Sequence, residues 1–150
     1  MKLVVITGSV FGNAEDVAQH AVDLLQKAGI EVFAQKEATL RDIQAQAPEA
    51  FLIVTSTTGM GELPNNLQPL YYSIRDQFPA WSGKPYGVIA LGDSNYGDTF
   101  CGAGEQMQEL FEELGLVSVQ EMLRLDASET VTPETDAEPW LQAFIENLKA

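Results

Sequence analysis

Cysteine and basic residues are the scarcest features of this chain, and their scarcity argues against several classes of function. A single cysteine, Cys101, among 150 residues excludes an internal disulfide and cannot by itself make a zinc site. Only 8 Lys and Arg stand against 22 Asp and Glu, which gives a formal net charge of −14. Binding to nucleic acid or to an anionic membrane surface depends on Lys and Arg, so we expect neither as a partner.

Long hydrophobic runs are also missing. No stretch approaches the ~20 apolar residues that a membrane span needs. The short apolar run after Met1 is typical of a first strand and too short for a signal peptide. With 45% hydrophobic residues and no repeats or linker-like segments, residues 1–150 are predicted to form one globular domain, and the predicted location is the cytoplasm.

Short apolar segments predict five β-strands. Nearly continuous apolar character, as in Ala50–Thr55, is typical of a strand buried on both faces of a parallel sheet. The other four predicted strands are Lys2–Thr7, Ile30–Lys36, Tyr86–Leu91 and Val117–Leu125.

Helical periodicity separates these strands. One helix is predicted from about Ala14 to Ala28, and Gly29 ends it. A second follows Pro64, with Leu67, Leu70, Tyr71, Ile74 and Phe78 on its buried face; a third carries Ala103, Met107, Leu110, Phe111 and Leu114; a last one begins at Pro139. Strands that alternate with helices predict an α/β fold, a doubly wound parallel sheet with helices on both faces.

Three loops rich in Gly, Ser, Thr and Asn follow the first, third and fourth predicted strands. They are Gly8–Asn13, Ser56–Glu62 and Gly92–Phe100. Ligands of open α/β sheets bind beyond the carboxyl ends of the strands, where the strand order reverses. These loops are therefore the candidate site.

The first loop joins a strand directly to a helix, which makes it a candidate anion site. Its backbone N–H groups and the helix N-terminus favour an anion, and Ser9 and Asn13 can add hydrogen bonds. A tight turn with Asn13 as the helix N-cap is the structural alternative. The glycines are not spaced as G-x-G-x-x-G, and no G-x-x-x-x-G-K-[ST] occurs, which excludes the dinucleotide fingerprint and the P-loop.

None of the three loops contains Lys or Arg. A phosphate bound there would be held by backbone dipoles and hydroxyl groups alone. Such a site suits a permanently bound phosphate, because phosphoryl transfer normally needs Lys, Arg or a metal ion at the developing charge.

At these loops the chain resembles the flavodoxins and the FMN domains of diflavin reductases, especially the small flavodoxin-like proteins of bacteria. Three segments carry the resemblance, each after the appropriate strand: residues 8–18 (GSVFGNAEDVA), 55–66 (TSTTGMGELPNN) and 91–104 (LGDSNYGDTFCGAG). The resemblance implies a five-stranded sheet of order 2-1-3-4-5 and bound FMN.

The resemblance also implies roles for individual residues. The phosphate cradle would consist of Ser9, Val10, Phe11, Gly12, Asn13 and Ala14. One side of the flavin ring would meet Thr57, Thr58, Gly59, Met60 and Gly61; the other would meet Gly92, Asp93, Asn95 and Tyr96, with Tyr96 stacked on the ring and Phe100 and Cys101 closing the pocket.

Three positions depart from the usual family pattern. Phe11 and Ala14 stand where the phosphate loop of the family has threonines, which removes two hydroxyl groups. Thr58 stands where an aromatic residue often meets the inner face of the ring. We therefore expect weaker FMN binding than in a typical member, offset in part by Met60, because a thioether packs well against an aromatic face.

The resemblance implies a non-enzymatic electron carrier, a low-potential flavodoxin that shuttles single electrons from a reductase to acceptor enzymes. It would act as a monomer with redox partners that present basic patches, an NADPH-dependent flavodoxin reductase as donor and an acceptor enzyme that the sequence does not reveal. The alternative is an FMN-dependent NAD(P)H:quinone-type oxidoreductase, which usually needs extra loops or a dimer interface. A phosphorelay receiver would need acidic residues where this chain has Gly8-Ser9 and Thr55-Ser56. A flavin-dependent assembly helper stays open.

Overall fold

A parallel β-sheet organises the chain in this computed structural model, which describes residues 1–9, 12–58, 61–92, 101–126, 129–130 and 132–150. The strands are β1 (Lys2–Gly8), β2 (Glu31–Phe33), β3 (Ala50–Thr55), β4 (Pro85–Gly92), β5 (Val117–Ser118) and β6 (Leu123–Asp126). The order β2-β1-β3-β4-β5 confirms the predicted 2-1-3-4-5 arrangement. All pairs are parallel, so the strands end at one common edge.

The fifth position of the sheet is shared by two short strands instead of the single strand predicted over Val117–Leu125. On β4, Tyr86 pairs with Ser118 and Ile89 pairs with Leu123. The four residues 119–122 therefore oppose only Gly87 and Val88, so the chain must bulge out of the ladder there. Hydrogen bonds from the last helix hold this bulge, including one from Trp140 Nε1 to the carbonyl of Glu121 (2.8 Å).

Alternating strand residues serve two separate hydrophobic cores, one on each face of the sheet. In β3, Phe51 and Ile53 point to one face, whereas Leu52 and Val54 point to the other, and all four are fully buried. Helices α2 (Leu40–Ala45), α3 (Gln68–Gln77) and α4 (Gly102–Glu113) cover the first face; α1 (Asn13–Lys27), α5 (Pro133–Asp136) and α6 (Glu138–Lys149) cover the second.

Helix α2 is an element that hydrophobic periodicity did not predict. It has only six residues, too few for a periodic pattern to stand out. A capping box marks its start: the amide of Asp42 donates to Thr39 Oγ1 (3.1 Å), and the amide of Thr39 donates to Asp42 Oδ2 (3.0 Å). These hydrogen bonds hold the pKa of Asp42 below its ordinary value.

Phe78 does not lie on the buried face of α3 as predicted. The helix ends at Gln77, and Phe78 is its C-cap in the left-handed region (φ 49°), 59% exposed. The left-handed turn carries its side chain off the apolar stripe that Leu70 and Ile74 continue. Strand β2 is likewise shorter than the predicted Ile30–Lys36, because its pairing with β1 ends at Phe33.

None of the helices within the described ranges is long and apolar enough to cross a lipid bilayer.

Candidate functional site

The first and second candidate loops leave the sheet side by side. Gly8 at the end of β1 pairs in register with Thr55 at the end of β3, and the amide of Ser56 donates to the carbonyl of Gly8 (2.8 Å). A Cβ on Gly8 would lie 2.7 Å from Thr55 Oγ1, so only glycine allows the two strand ends to approach this closely. The structure thus brings the two predicted loops together.

The first loop presents the uncapped N-terminus of α1. The N-cap is Gly12, with φ 87°, so no N-cap side chain bonds the first-turn amides, and Asn13 is the first residue of the helix rather than its cap. The amide of Gly12 donates to Ser9 Oγ (2.9 Å), which leaves the hydroxyl proton of Ser9 available to another acceptor. The arrangement fits a phosphate group, because the N–H groups of a helix N-terminus and a hydroxyl lie together here, and among the described residues no cap side chain competes for them.

Asn66 is a contributor to this loop that was not among the predicted site residues. Its Oδ1 accepts a hydrogen bond from the amide of Ser9 (3.1 Å). Asn66 lies in the segment between the second loop and α3, within the family-like run of residues 55–66. That run was the available signal, but nothing in the sequence indicated which of its polar side chains turns toward the first loop.

The second loop closes on itself. The amide of Thr58 donates to the carbonyl of Glu62 (3.0 Å), Thr58 Oγ1 donates to the same carbonyl (3.2 Å), and the amide of Gly61 donates back to Thr58 (2.9 Å). Gly61 has φ 80°, which glycine adopts without strain. Thr57 and Thr58 are half-buried, so their side chains lie at the rim of the loop.

The start of α4 is fastened to the second loop. The amide of Ala103 donates to Thr57 Oγ1 (3.3 Å), and Gln106 Nε2 donates to the carbonyl of Gly61 (2.7 Å). A Cβ on Gly102 would lie 2.6 Å from that same carbonyl oxygen. The start of α4, which follows the third candidate loop, is therefore held against the second loop by these contacts.

Cys101 is a buried packing residue at the start of α4. It is fully buried, and its thiol lies 3.7 Å from the carbonyl oxygen of Ala90. Burial raises the pKa of the Cys101 thiol to about 11, which makes it a poor nucleophile near neutral pH. Gly92, the other described residue of the third predicted group, ends β4 and pairs with Asp126.

Arg124 supplies a positive charge that the loop sequences themselves lack. It lies on β6 opposite Ala90, two residues before the end of β4, and its Nη1 is 2.8 Å from Glu105 Oε1. The guanidinium also interacts with the Cys101 thiol, and the bond to Glu105 raises the pKa of Arg124. Sequence analysis missed Arg124 and Gln106 because their partners lie 19 and 45 residues away.

Eight of the predicted cofactor-binding residues lie outside the described part of the chain. They are Val10, Phe11, Gly59, Met60, Asp93, Asn95, Tyr96 and Phe100. The remaining nine follow the ends of β1, β3 and β4, which are neighbours in the sheet: Ser9, Gly12, Asn13, Ala14, Thr57, Thr58, Gly61, Gly92 and Cys101.

Comparison with known proteins gives matches over nearly the whole chain. The sequence model of the family described as Flavodoxin matches residues 5–140. An uncharacterized protein of Pseudomonas aeruginosa is 67% identical over 149 residues, covering 99% of each chain. Flavodoxin YqcA of Escherichia coli strain K12 is 38% identical over 140 residues, covering 93% of each.

A solved structure is similarly close. The C101A mutant of flavodoxin from Pseudomonas aeruginosa superimposes with a TM-score of 0.97 and 66% sequence identity, and the match covers 100% of both chains.

Proposed function

The chain belongs to the flavodoxin family, whose members bind FMN and transfer electrons, and we propose that it shuttles single electrons from a reductase to acceptor enzymes. The observation that best supports FMN as the resident group is the uncapped, glycine-started N-terminus of α1 beside two loops that meet at Gly8 and Thr55. The N–H groups of the helix N-terminus can donate hydrogen bonds to a phosphate, and the adjoining loops can contact the flat flavin ring.

FMN supplies the redox chemistry when it is bound, and the chain holds and orients it. The first-turn amides of α1 and the hydroxyl of Ser9 would bind the phosphate. The full set proposed for the phosphate cradle is Ser9, Val10, Phe11, Gly12, Asn13 and Ala14. The ring would lie between Thr57, Thr58, Gly59, Met60 and Gly61 on one side and Gly92, Asp93, Asn95, Tyr96, Phe100 and Cys101 on the other.

Carboxylates at the loop edge of the sheet favour docking of a basic partner there. Among the described helices, acidic residues occupy the first turns of α1 and α4, at the carboxyl edge of the sheet. A partner with a basic patch would therefore be steered toward the flavin end, and the association rate would fall as salt rises.

The proposed function includes the oligomeric state, the location and the partners of the chain. The chain would act as one domain over residues 1–150, as a monomer in the cytoplasm. Its donor would be an NADPH-dependent flavodoxin reductase, and its acceptor an enzyme with a basic docking surface.

The cofactor assignment is tested by titrating the apoprotein into FMN and following flavin fluorescence. We expect saturable quenching at micromolar protein. Asn13→Asp places a carboxylate beside the phosphate and should weaken binding at least tenfold, whereas Gln26→Glu, which adds the same charge at an exposed position in the last turn of α1, should change it little. Absence of saturable quenching by the parent protein would overturn the assignment.

The carrier role is tested by offering NADPH or NADH to the FMN-loaded protein with and without a flavodoxin reductase. The FMN-loaded protein alone should not oxidise NADPH or NADH in the presence of a quinone. Adding a flavodoxin reductase should reduce its flavin rapidly, and more slowly as salt increases. Turnover of NADPH and quinone by the pure protein would establish the oxidoreductase alternative instead.

A further inference from the structure

Arg124 brings a cation to the flavin edge of the sheet from a strand outside the three loops. Its Cα pairs with Ala90 in the parallel ladder between β4 and β6, and Asp126, two residues on, pairs with Gly92. The last-turn cations of α1, α3 and α6 lie at the other edge, because helices of a parallel sheet return toward the strand starts. Arg124 therefore lies near the carboxyl edge of the sheet, whereas those helix-end cations lie at the opposite edge.

The guanidinium of Arg124 is held in place from two directions. Glu105, in the first turn of α4, accepts a hydrogen bond from Nη1 at 2.8 Å, and the Cys101 thiol interacts with the same group. Cys101 is fully buried and begins the helix that is bonded to the second loop through Ala103 and Thr57. The positive charge therefore lies beside residues that flank the proposed ring pocket.

Charge near a flavin matters most when the flavin gains its second electron, because the fully reduced ring carries a negative charge. Carboxylates around the loops disfavour that charge, and a fixed cation favours it. We propose that Arg124 offsets the surrounding carboxylates and raises the second one-electron potential of the bound FMN, and that Glu105 limits this effect by pairing with Arg124. The inference rests on the proposed FMN site.

The proposal predicts shifts of opposite sign for two neutralising substitutions. Arg124→Gln should make the second potential more negative, and Glu105→Gln should make it less negative, each by a three- to tenfold change in the one-electron equilibrium constant. Tenfold corresponds to about 59 mV. Arg124→Lys should retain most of the parent potential. Lys27→Gln, an exposed change of equal charge in the last turn of α1 at the opposite edge of the sheet, serves as the control and should give a much smaller shift.

The measurement is a redox titration of the FMN-loaded proteins at low and high salt. A second, cofactor-free measurement follows the thiolate absorbance of Cys101 in the apoprotein. Because Arg124 lowers the pKa of the Cys101 thiol, Arg124→Gln should raise it further, which checks the contact independently of flavin.

The possible results distinguish a failure of the proposed FMN site from a failure of the role of Arg124. If the parent binds no FMN, the proposed function fails and this inference fails with it. If FMN binds but neither Arg124→Gln nor Glu105→Gln moves the second potential beyond the Lys27→Gln control, the role of Arg124 alone is overturned. If Arg124→Gln does not fold, Arg124→Met, which also removes the charge and keeps most of the side-chain length, replaces it in the comparison with Lys27→Gln.

Discussion

Asn66 Oδ1 lies 3.1 Å from the backbone nitrogen of Ser9 and accepts its hydrogen bond. The bond crosses 57 residues of sequence and ties the segment before α3 to the start of the phosphate loop. The position of Ser9, and with it the hydroxyl that faces Gly12, therefore depends on a side chain from a different part of the fold.

Substitution of Asn66 should weaken FMN binding in a graded way. Asn66→Ala removes the hydrogen bond, whereas Asn66→Asp keeps the acceptor and adds a negative charge near the phosphate. We expect a loss of about tenfold in affinity for Asn66→Asp at low salt, equal to about 1.4 kcal/mol, and a smaller loss at high salt. Fluorescence titration measures the FMN affinity of each variant at low and high salt. If the loss in Asn66→Asp were the same at both salt concentrations, the added charge would not be its cause.

Gly102→Ala should destabilise the protein although alanine is the better helix former. Helix propensity alone favours alanine by up to about 1 kcal/mol. The added Cβ would lie 2.6 Å from the backbone oxygen of Gly61, and such overpacking typically costs about 1–3 kcal/mol. Urea unfolding should therefore show lower stability, accompanied by weaker FMN binding. A gain in stability would show that the contact is not as close as described.

Gln106→Ala should disturb the second loop more than the rest of the fold. The substitution leaves the carbonyl of Gly61 without its 2.7 Å partner, and a hydrogen bond of this kind contributes about 0.5–1.5 kcal/mol. We expect a modest loss of stability and faster amide hydrogen exchange at Gly61 and Thr58. Gln142→Ala, on the exposed side of α6, is the matched control and should leave exchange in the loop unchanged.

Stability should fall at alkaline pH through two buried groups. Burial raises the pKa of Cys101 from about 9 to about 11 and that of Tyr86 from about 10 to about 12. Their contributions are complete below the unfolded-state values and are lost as pH rises through the folded-state values. Urea midpoints should decline from about pH 9, and Cys101→Ala should delay the onset to about pH 10. An unchanged onset in Cys101→Ala would contradict this assignment.

The layered fold could be predicted because it depends on local patterns. The fully apolar run Ala50–Thr55 and the alternation of strands with helices were enough to indicate a doubly wound sheet. Helix α2 was missed because it is short, and its signal was the Thr39–Asp42 capping box rather than periodicity. The end of α3 was misplaced because Phe78 continues the apolar spacing while its backbone leaves the helix.

Contacts between distant segments account for what the sequence did not predict at the site. The loops themselves were recognisable from their small polar residues. The partners that hold them, such as Gln106 for Gly61 and Arg124 for Glu105, depend on which strands become neighbours and in which register. Register is a property of the assembled sheet, so single-residue chemistry could not identify these pairs.

The bulge between β5 and β6 affects whether copies of this protein can aggregate through the outer strand of the sheet. An outer strand with an unbroken row of unpaired backbone groups can recruit a strand from another molecule, which is a common start of aggregation. Here residues 119–122 interrupt that row, and the side chains of Trp140 and Asn147 bond to the carbonyls of Glu121 and Val119. The interruption keeps this flank of the sheet from serving as a template for another chain.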